Sequence, residues 1–324
     1  MKLLDIYARV KKDLNAVEKE LEKSVYSDHI LLREASVHLL KAGGKRIRPI
    51  FVLLCGEFGD YRPERMRKVA VPLELIHMAS LVHDDVIDDA DTRRGQLTVR
   101  SKWDNRIAMY TGDYIFGKAL GVITELDNPQ IHQIMSRAIV QMSIGEMEQV
   151  RFFFRTEQTL RDYLLRIRRK TALLIAVSCQ LGALAAGTDR VTAERLYSYG
   201  YNVGMAFQIR DDLLDLCGTE EETGKPPGSD IKQGNLTLPV LYALREPKLR
   251  SPLLAEIERI RQADGQTDLS RFLGIVRDSE GMRTAEQMAD RYIDKAIHHL
   301  NRLPDIQARR DLVGVAHFVG ERSY

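Results

Sequence analysis

Leu3, Tyr7, Val10, Leu14, Val17 and Leu21 recur in alternating steps of four and three, the narrow apolar seam of a helix that docks on another helix. Helical periodicity then dominates, with patterns near 30–42, 46–59, 64–91, 104–125, 128–152, 159–186, 192–216, 238–245, 252–263, 268–280, 282–302 and 305–321. No run of alternating apolar and polar residues argues for a strand. Breaks fall at Gly43-Gly44, Pro63, Gly95, Pro129, Gly187, Pro247 and Pro304. Segments of similar length with short connections predict an all-α helical bundle. Composition marks no boundary, so residues 1–324 are expected to form a single domain. Pro72 lies inside the pattern 64–91, where it predicts a kink or a restart. The longest connection, Cys217 to Thr237, is of a size that is functional or disordered in compact domains. Its Lys225, Pro226-Pro227, Gly228 and Asp230 suggest a charged lid.

Composition narrows the function classes. A 44% hydrophobic share supplies a sizeable core, and 29% charged residues suit a solvated surface. A net charge of +2 gives no reason to expect nucleic acid. Cys55, Cys179 and Cys217 show neither metal spacing nor a disulfide framework, which fits a reducing compartment, and the expected location is cytoplasmic. The N-terminal stretch is charged and amphipathic, unlike a signal peptide. Thr171 to Thr188 carries no charge, but Ser178, Gln180, Gly182 and Gly187 leave it short of the ~20 strongly apolar residues of a membrane span. It reads as a buried central helix.

Two aspartate clusters share one pattern: Asp84-Asp85-Val86-Ile87-Asp88 and Asp211-Asp212-Leu213-Leu214-Asp215. At helical spacing Asp84 and Asp88 share a face, as do Asp211 and Asp215. Both clusters fall near the end of a helical pattern, where the macrodipole is negative and neighbouring carboxylates repel. A hard divalent cation removes that conflict. Two such ridges facing a cavity suit several Mg²⁺ ions, each keeping sites for water or phosphate oxygens. A single cluster of this kind is most often a solvated face; two copies, each after an apolar run, favour metal-assisted handling of a diphosphate.

Basic residues add a second pattern. Gly43-Gly44-Lys45-Arg46-Ile47-Arg48-Pro49 opens a helix, Thr92-Arg93-Arg94-Gly95 follows the first cluster, and Arg168-Arg169-Lys170-Thr171 opens the uncharged segment. Each alone is an ordinary surface patch. With the aspartates they describe two phosphate sites, one metal-bound and one held by Arg and Lys directly.

The stretches GGKRIRP, LIHMASLVHDDVIDDADTRRG, GDYIFG, RRKTALL, FQIRDDLLD and GKPPGSDIKQGNLTLP, spread from residue 43 to 239, resemble the trans-isoprenyl diphosphate synthases, or polyprenyl synthetases. The flanking KTALLIAVSCQLGALAAG and VGERSY resemble the large catalytic component (component II) of bacterial heptaprenyl diphosphate synthases. The resemblance implies an isoprenoid-synthase-type helical bundle around a deep central cavity. It implies Mg²⁺-dependent elongation of an allylic diphosphate, such as farnesyl diphosphate, by successive trans condensation with isopentenyl diphosphate. The implied product is heptaprenyl diphosphate for the menaquinone side chain. Asp84, Asp88 and Asp211 would be the main Mg²⁺ ligands, with Asp85, Asp212 and Asp215 completing the clusters. Arg93, Lys170, Thr171, Gln208 and Lys225 would contact the allylic diphosphate; Lys45, Arg48, His77 and Arg94 would hold isopentenyl diphosphate. Spacing alone adds that His77 lies two turns before Asp84 on nearly the same face, and that Gln208 lies within a turn of Asp211 and Asp212. Without the resemblance, His77 reads more readily as a core histidine. Arg210 departs from the family pattern, which often has a small or uncharged residue there.

Ala79 and Ser80, five and four residues before the first cluster, are small. An aromatic side chain there would cap a product channel within about one turn of ~5.4 Å, so a medium or long product is expected. Ile76, Leu120 and Ile123 are candidates for the channel floor. The resemblance implies a smaller non-catalytic companion subunit, with a self-sufficient homodimer as the alternative, and transient membrane contact for product release. The seam at residues 3–21 is a candidate subunit contact. A catalytically silent interaction subunit is opposed by the intact clusters. A terpene cyclase would not need the GGKRIRP and TRRG motifs.

Overall fold

Prolines and short polar side chains start the helices of this chain. Pro63, Pro129 and Pro247 stand in first turns, where a missing N–H costs nothing. Asp104 accepts the Ile107 N–H at 2.8 Å, and Thr159 with Asp162 forms a reciprocal capping box. The computed structural model describes residues 3–219, 226–263 and 267–321. The helices run in order α1 (Leu3–Ser24), α2 (Ile30–Lys41), α3 (Ile47–Gly56), α4 (Pro63–Ile87), α5 (Val99–Lys102), α6 (Asn105–Ile123), α7 (Pro129–Arg151) and α8 (Leu160–Ile167). After a π-helical turn at Arg168–Ala172 come α9 (Leu173–Ala185), α10 (Arg190–Cys217), α11 (Ser229–Lys232) and α12 (Leu238–Ala243). Then follow α13 (Pro247–Gln262), α14 (Ser270–Arg277), α15 (Glu280–Leu300) and α16 (Gln307–Gly320). Among the described residues the only strands are β1 (Thr92–Arg93) and β2 (Gln96–Leu97), an antiparallel pair between α4 and α5 with Arg93 opposite Gln96. The fold is all-α.

Two compact units divide the chain. The first runs to Ile139 and adds Leu174–Tyr197 and Leu300–Gly314; the second holds Val140–Leu173, Ser198–His299 and the chain from Val315. In the first, α4 packs against α1, α3 and α6. Val10, Val17 and Leu21 of the N-terminal seam, with Ile6 beside them, are at most 5% exposed, so much of the seam closes on the chain's own core. Burying each such side chain contributes about 1.5–3 kcal/mol. Arg9 ties α1 to the fully buried Asp311 of α16 and to Glu57. The uncharged segment forms α9, whose Leu174, Ala176, Val177 and Ala183 are buried as a central helix requires. No helix among the described residues is long and apolar enough to cross a membrane.

In the second unit, Tyr163, Met205, Ile209, Leu213, Phe272 and Val276 belong to one core. Gly204 lets α10 lie against the π turn, because a Cβ there would stand 2.5 Å from Ala172 Cα.

Four local expectations change. The pattern 159–186 is split by the π turn, since one wide turn barely disturbs apolar periodicity. Helix α4 runs unbroken through Pro72, without a restart, and stops at Ile87 instead of 91. Gly95 ends a hairpin turn, not a helix: Arg94 and Gly95 have φ of 53° and 74°, the left-handed pair of a type I′ turn. The connection from Cys217 contains the short helix α11 within its described part.

Candidate active site

The first aspartate cluster sits where α4 ends. Asp84 and Asp85 are buried in its last turn, and Asp88 is the C-cap, its N–H bonding Asp84 O at 2.8 Å. Asp85 is already engaged: Arg93 of β1 donates to it through Nε at 2.8 Å and lies within 2.7 Å through Nη2. The hairpin turn carries the next residue, Arg94, back toward the loop before α3. Gly44 in that loop makes room for it, because a Cβ at Gly44 would meet Arg94 Nη1 at 2.6 Å. Two motifs 50 residues apart, residues 44 and 94, are thus brought together.

Within this loop the neighbouring arginines do different work. Arg46, with φ of 46°, is buried and pairs with Glu18 and with Glu74 at 3.2 Å. Burial opposes its charge, but the two carboxylates hold its pKa above the ordinary value. That pairing is structural. Arg48 has no such arrangement: its buried Nε has no hydrogen-bond partner. Burial lowers its pKa to about 10, with Glu74 opposing and Arg94 adding to the shift, so it stays cationic near neutrality. Partial burial, with the Arg93 charge next, also lowers Arg94. His77 lies among these cations. Burial first, then Arg48, Arg94, Arg93 and Arg46, drives its pKa well below 6.5, leaving a neutral imidazole able to donate without adding charge. Lys45 is exposed, and its carbonyl accepts the Tyr7 hydroxyl. Ala79 is fully buried, and the Ser80 hydroxyl bonds back to His77 O at 2.9 Å.

The second cluster ends α10. Asp211 is exposed, Asp212 is 3% exposed, and Asp215 lies between. Burial, with the charge of Asp230 second, raises Asp212 to about 7 and Asp215 to about 8. Asp230 of α11 is therefore a fourth carboxylate at this cluster, and its N–H reaches Asp215 Oδ2 at 3.3 Å. The π turn presents Lys170 and Thr171. Lys170 pairs with Glu146 of α7 at 3.1 Å, and the Thr171 hydroxyl donates to Gln208 Oε1 at 2.6 Å. Gln208 in turn donates to Asp212 at 2.9 Å. Lys225 lies outside the described residues. Arg210 neither points to solvent nor joins the cluster: it is buried and bonds Asp290 of α15 at 2.6 Å.

Sequence reasoning missed three participants. Tyr163, one turn of α8 before Ile167, donates to Asp212 at 2.6 Å. Glu146 partners Lys170, and the hairpin aims Arg93 and Arg94. Only the Arg94-Gly95 dipeptide carried a signal for any of them. Leu120 is 49% exposed and Ile123 only 3%, so Leu120 does not line the unit's interior as a channel floor.

The carboxylates fit Mg²⁺ chemically. They are hard oxygen donors, and Asp212 and Asp215, raised by burial first and by the Asp230 charge second, carry charge that a cation would stabilise. Among the described residues no three carboxylate, imidazole or thiol groups stand arranged as a ready-made metal cage.

The sequence profile described as polyprenyl synthetase matches residues 29–274. The chain belongs to the polyprenyl synthetase family. It is 52% identical over 324 residues to heptaprenyl diphosphate synthase component 2 of Geobacillus stearothermophilus, covering 100% of both chains. Its structure resembles that of heptaprenyl diphosphate synthase from Staphylococcus aureus with a TM-score of 0.88 at 39% identity, covering 96% of this chain and 98% of the other. It also resembles polyprenyl synthase from Caulobacter crescentus CB15, complexed with calcium and isoprenyl diphosphate, with a TM-score of 0.93 at 30% identity, covering 99% and 98%. This polyprenyl synthetase is accordingly a prenyltransferase with the all-α isoprenoid-synthase fold, and it elongates prenyl chains.

Proposed function

We propose that this polyprenyl synthetase extends farnesyl diphosphate with isopentenyl diphosphate to heptaprenyl diphosphate, as the catalytic subunit of a two-component enzyme. The observation that carries the reading is the anion site of the first unit, where Arg48 with its unpartnered Nε, Arg94 and a neutral His77 converge beside the Asp84–Asp88 helix end. Lys45 would complete this site, and isopentenyl diphosphate is the anion it suits.

Asp84, Asp88 and Asp211 would hold Mg²⁺. When bound, Mg²⁺ stabilises the charge that develops on the departing diphosphate. Arg93, Lys170, Thr171, Gln208 and Lys225 would contact the allylic diphosphate. Arg93 and Lys170 are held ready by Asp85 and Glu146, so each exchanges one anionic partner for another when substrate arrives. The allylic carbon–oxygen bond breaks, the double bond of isopentenyl diphosphate attacks the allylic cation, and a proton leaves the adduct to the released diphosphate. The small side chains of Ala79 and Ser80 leave space for the growing tail. A menaquinone side chain is the destination that fits this product, and the cytoplasm the location.

The name component 2 of the Geobacillus relative supports the companion subunit. The test is to size prenyl products by mass spectrometry with the chain alone and with a small companion protein from the same source. Heptaprenyl diphosphate only when both are present is the expected result. The same long product from the chain alone would reject the obligate heteromer, and an unchanged farnesyl substrate under both conditions would reject the reading.

A further inference from the structure

Asp212 has both carboxylate oxygens taken. The Tyr163 hydroxyl donates to Oδ2 at 2.6 Å, and Gln208 Nε2 donates to Oδ1 at 2.9 Å. Ionised, Asp212 only accepts, so the Gln208 amide then turns its nitrogen toward Asp212 and its oxygen away. That oxygen receives the Thr171 hydroxyl at 2.6 Å. The single hydroxyl proton of Thr171 is thereby committed, and its lone pairs are what remain for a bound group. The donor and acceptor sense of the whole chain is therefore set at its Asp212 end.

The other side of Tyr163 is built to hold it there. Tyr163 is fully buried, and Arg166, 5% exposed, lies with its guanidinium carbon 5.6 Å over the phenol ring. Arg166 donates through Nη1 to Gln158 Oε1 at 2.8 Å and through Nη2 to Leu236 O at 2.7 Å. These partners are neutral carbonyls, so the positive charge of Arg166 remains to act on the ring and on the carboxylate beyond it. Filling the core needs only the ring of Tyr163. A hydroxyl aimed at a cluster carboxylate, with a buried cation behind the ring, goes beyond what packing requires.

We infer that Tyr163, held by Arg166, is a positioning residue for the diphosphate site: it pins Asp212 and so fixes the polarity of the chain Tyr163–Asp212–Gln208–Thr171. Asp212 is then an anchor for Gln208. This rests on the reading of Thr171 and Gln208 as contacts to the allylic diphosphate.

The test combines steady-state kinetics, run with the small companion protein present, with calorimetric titration of Mg²⁺ and inorganic diphosphate into wild type, Tyr163→Phe, Thr171→Val and the double variant. Tyr163→Phe should lower kcat about tenfold and weaken Mg²⁺–diphosphate binding about fivefold, leaving KM for isopentenyl diphosphate unchanged. The double variant should bind no more weakly than Thr171→Val alone, because both changes break one chain. A folded Tyr163→Phe within twofold of wild type in kcat and affinity, or losses that multiply independently, would overturn the inference. Should Tyr163→Phe not fold, Arg166→Lys takes its place. Its expected loss is about two- to threefold in affinity, again without effect on top of Thr171→Val, and independent losses overturn the inference. A wild type that neither binds Mg²⁺–diphosphate nor elongates a prenyl chain would instead sink the underlying reading.

Discussion

Arg93 grips a single oxygen of Asp85 twice, through Nε at 2.8 Å and Nη2 at 2.7 Å. The contact joins the last turn of α4 to the hairpin that follows it. It also separates the roles of three aspartates that look alike in sequence. Asp85 is neutralised by an arginine, whereas Asp84 and Asp88 share the helical face proposed for metal.

Asp84→Asn or Asp88→Asn should therefore lower kcat by about 10³-fold at saturating Mg²⁺, while Asp85→Asn costs about tenfold. Steady-state rates for the three variants check this. Equal losses would place all three aspartates in one role and contradict the assignment.

Gly44 gives a second prediction. A methyl group there meets the Arg94 guanidinium at 2.6 Å, and the backbone φ of +156° adds strain. Gly44→Ala should displace Arg94 and raise KM for isopentenyl diphosphate about tenfold with kcat little changed. A change confined to kcat would argue that this loop serves the reaction step instead of the second substrate.

The metal-free protein should lose stability as pH rises. Burial, then the Asp230 charge, raises Asp212 to about 7 and Asp215 to about 8, above the 3.8 of an ordinary aspartate. Both bind a proton more tightly when folded. The stability so gained is full below about pH 4 and is lost as pH climbs through 7 and 8. With EDTA present, Tm should fall between about pH 5.5 and 8.5, and less steeply in Asp215→Asn. Mg²⁺ should raise Tm more at the upper end of that range. Parallel melting curves for the two proteins would show that Asp215 does not titrate as its surroundings dictate.

Ala79 is fully buried five residues before Asp84 on α4. Ala79→Phe should shorten the product by several isoprene units, and crowding should cost about 1–3 kcal/mol of stability. Product sizing by mass spectrometry decides it, and an unchanged distribution would remove Ala79 from the product channel.

Much of this was legible in the sequence because periodicity and capping are local signals. Pro63, Pro129 and Pro247 announced helix starts, and the apolar runs before Asp84 and Asp211 announced helices that end in carboxylates. Relationships made by tertiary packing were not legible. The π turn that carries Lys170 and Thr171 leaves the apolar pattern intact, so nothing in the text marks it. Tyr163 reads as one more aromatic on an amphipathic helix until its hydroxyl meets Asp212. Arg46 and Arg48 look equivalent as letters. The family resemblance singled out Arg48, and burial beside Glu18 and Glu74 gives Arg46 a structural role that no local signal announced. The N-terminal seam shows the converse: a stripe that suits a partner helix suits the chain's own core equally well, and Val10, Val17 and Leu21 are buried there.

The central claim is that this chain joins isopentenyl diphosphate to an allylic diphosphate with metal help. The most direct test incubates the purified chain and a small companion protein with farnesyl diphosphate, isopentenyl diphosphate and Mg²⁺, and follows prenyl diphosphates over time by mass spectrometry. The account predicts products growing by single isoprene units in Mg²⁺, none with EDTA, and almost none from Asp84→Asn. Undiminished elongation in EDTA, or in the variant, would contradict it.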